Sequence, residues 1–407
     1  MRKTLPFAVG FLPFAFCLLF FAFPVSAQFK IERVNENQFF QRARNVSFYT
    51  NTHFNRVEAL QLNLGVKFHP QKWNGFMLFG DAGYGFKNED RREWRWQTGV
   101  QKIFFLPQQF ALGADYFNKV DSNDRWLISN LENSLAGLFL HEDFMDHFGR
   151  RGVRGYLDYR FNQTHSIRVD VSGHRYEVLQ KNSDWSLLGR NKDYPPNVRT
   201  AFPAKAGDEL AVRLSAVLDG RDNPIFPLAG WYADAQFEIT RQDFETEALF
   251  LTLKRYQPTF GDQKFQIKLL AGTRSGSRAF QHLLPLGGLG NLRGYREKEF
   301  PGDRLLYLNA NYIIGQQWLH YIPLKFLPLW ESVAVGVFAE TGYAWFADSQ
   351  NADAGLFDLG EFKLNYLRND VGFSLYFAEN LLRVDFARRT DRGDRNWRVT
   401  FRILDKF

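Results

Sequence analysis

The feature that most restricts this chain is a period of two that recurs along most of its length. In Leu60-Gln61-Leu62-Asn63-Leu64-Gly65-Val66-Lys67-Phe68 every even position is apolar and every odd one is polar or glycine. Successive side chains of a strand point to opposite faces, so this pattern gives a ribbon with one greasy and one wet side. It returns in Ile167-Arg168-Val169-Asp170-Val171, in Leu210 to Leu218, in Trp231 to Ile239, in Phe265 to Leu269 and in Leu382 to Phe386. About sixteen such segments of about ten residues can be marked, the length of a tilted strand that crosses a bilayer. They begin near Glu58, Asn74, Arg91, Gln109, Glu132, Arg151, Ser166, Glu209, Gly230, Ala248, Gln263, Leu305, Ser332, Tyr366, Leu381 and Asn396. A soluble half-buried sheet also alternates, so the number of repeats carries the argument. The expected fold is all-β: a transmembrane antiparallel β-barrel of about sixteen strands, an even number that lets the first strand close on the last.

The N-terminus supplies the export route that such a barrel needs. Arg2 and Lys3 precede an apolar run from Leu5 to Phe23, and Val25-Ser26-Ala27 has the small residues of a cleavage site, so residues 1–27 read as a Sec signal peptide. The only cysteine is Cys17, inside that segment. The mature chain then has no thiol, hence no disulfide and no cysteine-based metal site. No later stretch is long and apolar enough for a transmembrane helix, and lipid tolerates no open sheet edge, so membrane entry requires a closed barrel. Residues 28–57 are expected to be a short periplasmic segment or plug, and 58–407 the barrel. The net charge of +7 is spread along the chain rather than clustered, which argues against a nucleic-acid partner.

Connections alternate between short, as at Phe377-Ala378-Glu379-Asn380 and Gly261-Asp262, and long, at about 180–208, 275–304 and 347–365. Short periplasmic turns and long extracellular loops give this rhythm. At the end of the chain Trp397, Val399, Phe401, Ile403 and Phe407 share one parity. An apolar last strand ending in an aromatic resembles the signal that addresses outer-membrane proteins to the barrel-assembly machinery, a sheet-pairing interaction. Outer-membrane lipid, that machinery and periplasmic chaperones are therefore expected partners, with a separately encoded periplasmic or secreted partner as a further one.

The most specific segment is Gly287-Gly288-Leu289-Gly290-Asn291-Leu292-Arg293-Gly294-Tyr295. Its glycine spacing is wrong for a dinucleotide loop and no strand–turn–helix unit surrounds it. It resembles the long loop of the BamA/TamA-type assembly and secretion superfamily (bacterial surface antigen barrels), whose hallmark matches Leu292-Arg293-Gly294-Tyr295. Phe338-Ala339-Glu340-Thr341-Gly342 is similar to that family's F-x-D-x-G motif, with Glu340 where the family has Asp. Arg221-Asp222-Asn223-Pro224-Ile225-Phe226-Pro227-Leu228-Ala229-Gly230 resembles its Pro- and Gly-driven turn. Phe54 to Glu58 is similar to the start of the first barrel strand, and Asp370 to Phe373 and Leu382 to Ala387 to late ones. The resemblance implies that the loop folds back into the lumen and that Arg293 meets an acid on the inner wall. Glu340 has lumen parity, and Asn311 stands where the family has a second acid, which leaves Arg293 one charged partner. Members of that family usually carry periplasmic POTRA domains before the barrel; residues 28–57 leave no room for one, so the resemblance is to POTRA-less members. A guanidinium in a partly wet lumen is costly without a carboxylate, and a bidentate pair fixes where the loop sits.

No catalytic constellation stands out. None of the eight His lies beside a Ser in a nucleophile motif, and no metalloprotease spacing occurs. His141 and His147 bracket Glu142, Asp143 and Asp146, which reads as a polar strand end or turn rather than a divalent-ion site. No enzyme activity, cofactor or metal is expected. Three functions are compatible: insertion or translocation of proteins or lipids at the outer membrane, passive passage or export of a small solute, and, last, a barrel enzyme.

Overall fold

The computed structural model describes residues 45–403 apart from 88–93, 106–108, 163, 190–191, 198–201, 203, 320, 322–332, 349–353, 361, 378–381 and 392–395. The signal peptide, the turn at 378–380 and Phe407 fall outside the described residues. Seventeen strands form one sheet. They are β1 (Val46–Tyr49), β2 (His53–Asn55), β3 (Ala59–Phe68), β4 (Phe76–Gly85), β5 (Arg95–Phe105), β6 (Gln109–Asp121), β7 (Phe148–Arg160), β8 (His165–Val178) and β9 (Gly207–Asp219). There follow β10 (Gly230–Gln242), β11 (Thr246–Pro258), β12 (Lys264–Gly276), β13 (Arg304–Ile314), β14 (Ala334–Trp345), β15 (Arg368–Phe377), β16 (Leu382–Arg389) and β17 (Arg398–Ile403). From β3 onward each strand pairs antiparallel with its predecessor.

β1 and β2 both lie along β3, Val46 opposite Phe68 and Asn55 opposite Ala59. Between them the Thr50 and Thr52 hydroxyls bond the backbone of Asn63 in place of ladder bonds. The two strands are one interrupted pass, so seventeen strands make sixteen passes. That number agrees with the sequence expectation through two differences that cancel. Barrel pairing begins at Val46 rather than near Glu58, and the segment near Glu132 is not a strand. There α1 (Asn130–Leu135) leads into a wider helical turn over Ala136–Leu140. The Ser129 hydroxyl accepts from the Glu132 N–H at 3.1 Å and caps α1. Ser129-x-x-Glu132 is a helix-start spacing, hidden by the short apolar run that follows it. Phe54 to Glu58, read as the start of a strand, is mostly the turn between the first two passes. The Asn55 side chain accepts from the Val57 and Glu58 N–H groups and closes it.

The sheet is inside-out by the standard of a soluble protein. Along β3, Leu62 and Leu64 are 50% and 66% exposed, whereas Gln61 and Asn63 are 4% and 8% exposed. A greasy belt outside and a polar lining inside is the arrangement a bilayer stabilises. Long connections, over 122–147, 179–206, 277–303 and 346–367, leave from one end of the barrel, while the connection over 315–333 leaves from the other. The connection over 277–303 turns inward. Its Leu284, Leu286, Leu292 and Tyr295 pack with Leu270, Leu305, Tyr307 and Ala344 of β12, β13 and β14 into the largest apolar cluster.

Candidate functional site: a loop locked inside the barrel

Arg293 sits at the tip of this inward loop and is buried. Its Nε donates to Glu340 Oε1 at 2.9 Å and its backbone N–H to Oε2 at 2.8 Å. Its guanidinium also donates to Asp385 Oδ1 at 2.8 Å and to Asn311 Oδ1 at 3.3 Å, and lies 3.5 Å from the centre of the Phe338 ring. It also donates to Ser374 Oγ at 3.4 Å. Glu340 and Phe338 come from β14, Asn311 from β13, Ser374 from β15 and Asp385 from β16, so one side chain ties the loop to four strands. Tyr307 and Asn309 of β13 add donors to Glu340 Oε1 at 2.7 and 2.8 Å. The Glu340 carboxylate thus accepts four hydrogen bonds, which offsets much of the cost of burying it.

The neighbours of Arg293 serve its placement. Leu292 is fully buried with a φ of 42°, a left-handed conformation that a bulky residue holds only when its surroundings demand it. Gly294 donates from its N–H to Asp370 Oδ2 at 2.8 Å, and a Cβ there would stand 3.0 Å from the Asp370 Cβ and 3.1 Å from the Arg389 nitrogen. The Tyr295 hydroxyl donates to the Asn369 carbonyl at 3.1 Å while the Arg389 guanidinium lies 4.0 Å from its ring centre. One sequence expectation needs correction: Arg293 has two charged partners, not one. Asp385 takes the part foreseen for an acid at Asn311, and Asn311 adds only a neutral contact. Asp385 is itself balanced by Arg383 at 2.9 Å.

A second knot lies toward the long-loop end. Lys298, on the same loop, is buried with its ammonium 2.7 Å from Asp124 and 2.6 Å from Asp146. Arg56, fully buried, donates to Asp146 at 3.0 Å and, from its N–H, to Asp143 at 2.9 Å; His147 lies 2.9 Å from Asp143. Of the acids bracketed by His141 and His147, Asp143 and Asp146 therefore serve Arg56 and Lys298, while Glu142 pairs with Lys192. Burial pushes the Asp143 carboxyl up, but His147 and Arg56 outweigh it and hold it well below the usual carboxylate range. Burial pulls the Lys298 ammonium down, but Asp124 and Asp146 outweigh it and hold it above the ordinary lysine value. Asp143 adds stability above the ordinary carboxylate pKa and loses it as pH falls through its depressed value. Lys298 adds stability below the ordinary lysine pKa and loses it as pH rises through its raised value. Planar-bilayer conductance is expected to stay low and flat from about pH 5 to about pH 10. A steep rise inside that window would show that this knot does not hold the loop.

On the last strand Val399, Phe401 and Ile403 face outward while Thr400 and Arg402 are buried, and Trp397, just before it, is half exposed. Arg402 donates to Glu132 at 2.8 Å and to the Leu127 and Leu289 carbonyls at 2.8 and 3.1 Å. The remaining lumen is a cavity of about 2900 Å³ lined by residues from β1 round to β16. Among the described residues, fifteen Lys and Arg line it against nine Asp and Glu, an excess of six positive charges.

The sequence profile of the Omp85 superfamily domain matches residues 33–407. The chain belongs to the Omp85 superfamily. Among solved structures, BamA from Haemophilus ducreyi lacking POTRA domains 1–3 aligns with a TM-score of 0.56 at 13% identity, over 88% of this chain and 69% of that one. CdiB from Acinetobacter baumannii aligns with a TM-score of 0.41 at 9% identity, over 88% and 59%. A comparison with curated proteins gives no match. At such identity the BamA likeness shows the fold. For this Omp85 barrel, sequence reading singled out Arg293, Glu340 and Asn311, which the structure brings together. It did not find Asp385, Lys298, Arg402 or Glu132. For Asp385 the signal was its lumen parity within Leu382 to Ala387.

Proposed function

We propose that this barrel assists polypeptides, or lipids, to enter or cross the outer membrane, with the 277–303 loop as an internal plug locked by Arg293. The observation that carries the reading is the lock itself. A loop pinned to β13, β14, β15 and β16 couples the lumen to the strands beside the end of the sheet. The resemblance to the BamA/TamA type supports the same reading, as do BamA and CdiB among the similar folds. On this reading the chain reaches the outer membrane by Sec export and periplasmic chaperones, is inserted by the barrel-assembly machinery through its apolar last strand, and is not an enzyme. The test is assisted folding. Vesicles holding the purified protein should fold an unfolded outer-membrane barrel client faster than protein-free vesicles. Equal rates, with the protein itself correctly inserted, would defeat the proposal.

A second reading, passive passage of a solute, is favoured by the cavity. An excess of positive charge in a confined aqueous path concentrates anions. Whatever current passes is expected to be anion-selective, so the reversal potential in a salt gradient should shift toward the chloride equilibrium value. A steady large current in the unmodified protein would favour this second reading over the first.

A further inference from the structure

The two ends of the sheet meet at a seam, with β2 on one side and β17 on the other. Each edge carries backbone groups that its ladder partner does not use. At two positions these groups are taken by one short helix from inside the barrel. On β2 the Phe54 N–H donates to the Ser134 hydroxyl at 2.9 Å, and that hydroxyl lies 3.3 Å from the Phe54 carbonyl. On β17 the Ile403 N–H donates to Glu132 Oε1 at 2.9 Å. Glu132 and Ser134 both belong to α1, and both are buried. Two residues on an α-helix are about 200° apart, so their side chains leave opposite sides of the rod. A single turn of α1 therefore reaches both edges at once.

We propose that α1 is a clamp across the seam: it occupies the backbone edges of β2 and β17, and it must be displaced before either edge can pair with another strand. This inference rests on the proposed function, assistance to polypeptides entering or crossing the membrane, and names what regulates access to the two sheet edges. Edge backbone groups away from water are costly unless bonded, so the clamp both stabilises the closed seam and withholds the edges from incoming strands. The clamp is tied to the lock. Arg402 on β17 bonds the Glu132 carboxylate, the Leu127 carbonyl before α1 and the Leu289 carbonyl of the plug loop. Lys298 of the same plug loop holds Asp124 and Asp146, on either side of α1. Movement of the plug therefore pulls on the clamp.

Hydrogen–deuterium exchange of the full protein in lipid, read by mass spectrometry, tests this without any client. Ser134→Ala is expected to speed exchange about tenfold or more in peptides covering 50–57 while leaving 398–403 protected; Glu132→Ala is expected to do the reverse. Peptides from β10 to β12 should not change in either. Unchanged exchange at both edges, or equal acceleration around the whole barrel, would overturn the clamp. Ser134→Ala removes only a hydroxyl, so it decides the matter should Glu132→Ala fail to fold. Edges that loosen without any gain in client folding would refute the functional reading and leave the clamp standing; edges that stay protected would do the opposite.

Discussion

Arg293→Ala is expected to convert a low, flickering conductance into a large one and to lower the temperature at which the folded band disappears in a heat-modifiability gel. The substitution removes the side-chain hydrogen bonds from Arg293 to β13, β14, β15 and β16. It also strands two buried carboxylates, Glu340 and Asp385, though Asp385 keeps Arg383. Breaking a buried ion pair by deleting one partner costs about 3–5 kcal/mol, mostly because the remaining charge is left uncompensated. The loop then keeps its apolar packing and the Gly294 and Tyr295 bonds but loses its charged anchor to the wall. Arg293→Lys is the informative companion. An ammonium keeps the charge but cannot address acceptors on four strands as a planar fork does, so a clear part of the loss should persist. If Arg293→Ala conducts like the unmodified protein and melts at the same temperature, the lock has no role in holding the plug.

Much of this was legible in the sequence, and the reason is the period of two. Alternation fixes which face of each strand is wet, so it placed Glu340 and the outward set Val399, Phe401 and Ile403 without any knowledge of neighbours. It could not say which wet residues meet. Asp385 lies opposite Ser374 and reaches Arg293 only because the sheet curves back on itself, a relation between residues nearly a hundred positions apart. Asp370, opposite Glu340 on β15, was missed for the same reason. The first pass escaped notice because a polar stretch, Thr50-Asn51-Thr52-His53, interrupts its apolar rhythm, and side-chain hydroxyls do part of the pairing there. α1 escaped because the short apolar run that follows it, Leu135 to Leu140, fits a strand or a helix equally well, and its Ser–Glu cap was the one local clue. The charged knot at Lys298 leaves no periodic trace at all. It joins loops whose contacting residues are more than 150 positions apart in the chain.

That knot gives the second large effect. Lys298→Met is expected to loosen the plug from its other end, with a drop in thermal stability comparable to that of Arg293→Ala. The buried ammonium is held by two carboxylates on a different loop. Without it Asp124 and Asp146 face each other in a largely buried site, where Asp146 keeps Arg56 as a cation. The penalty falls on the leftover charge at Asp124, so removing that charge should restore much of the loss. Lys298→Met with Asp124→Asn is therefore expected to recover most of the melting temperature while the single Lys298→Met does not. Plug release is a different matter, because the loop stays free of its ionic tether in the double variant. Conductance should remain raised even as stability returns. This divergence separates a tether from a merely stabilising pair: if the double variant regains low conductance together with its stability, the ion pair was holding the fold and not the loop.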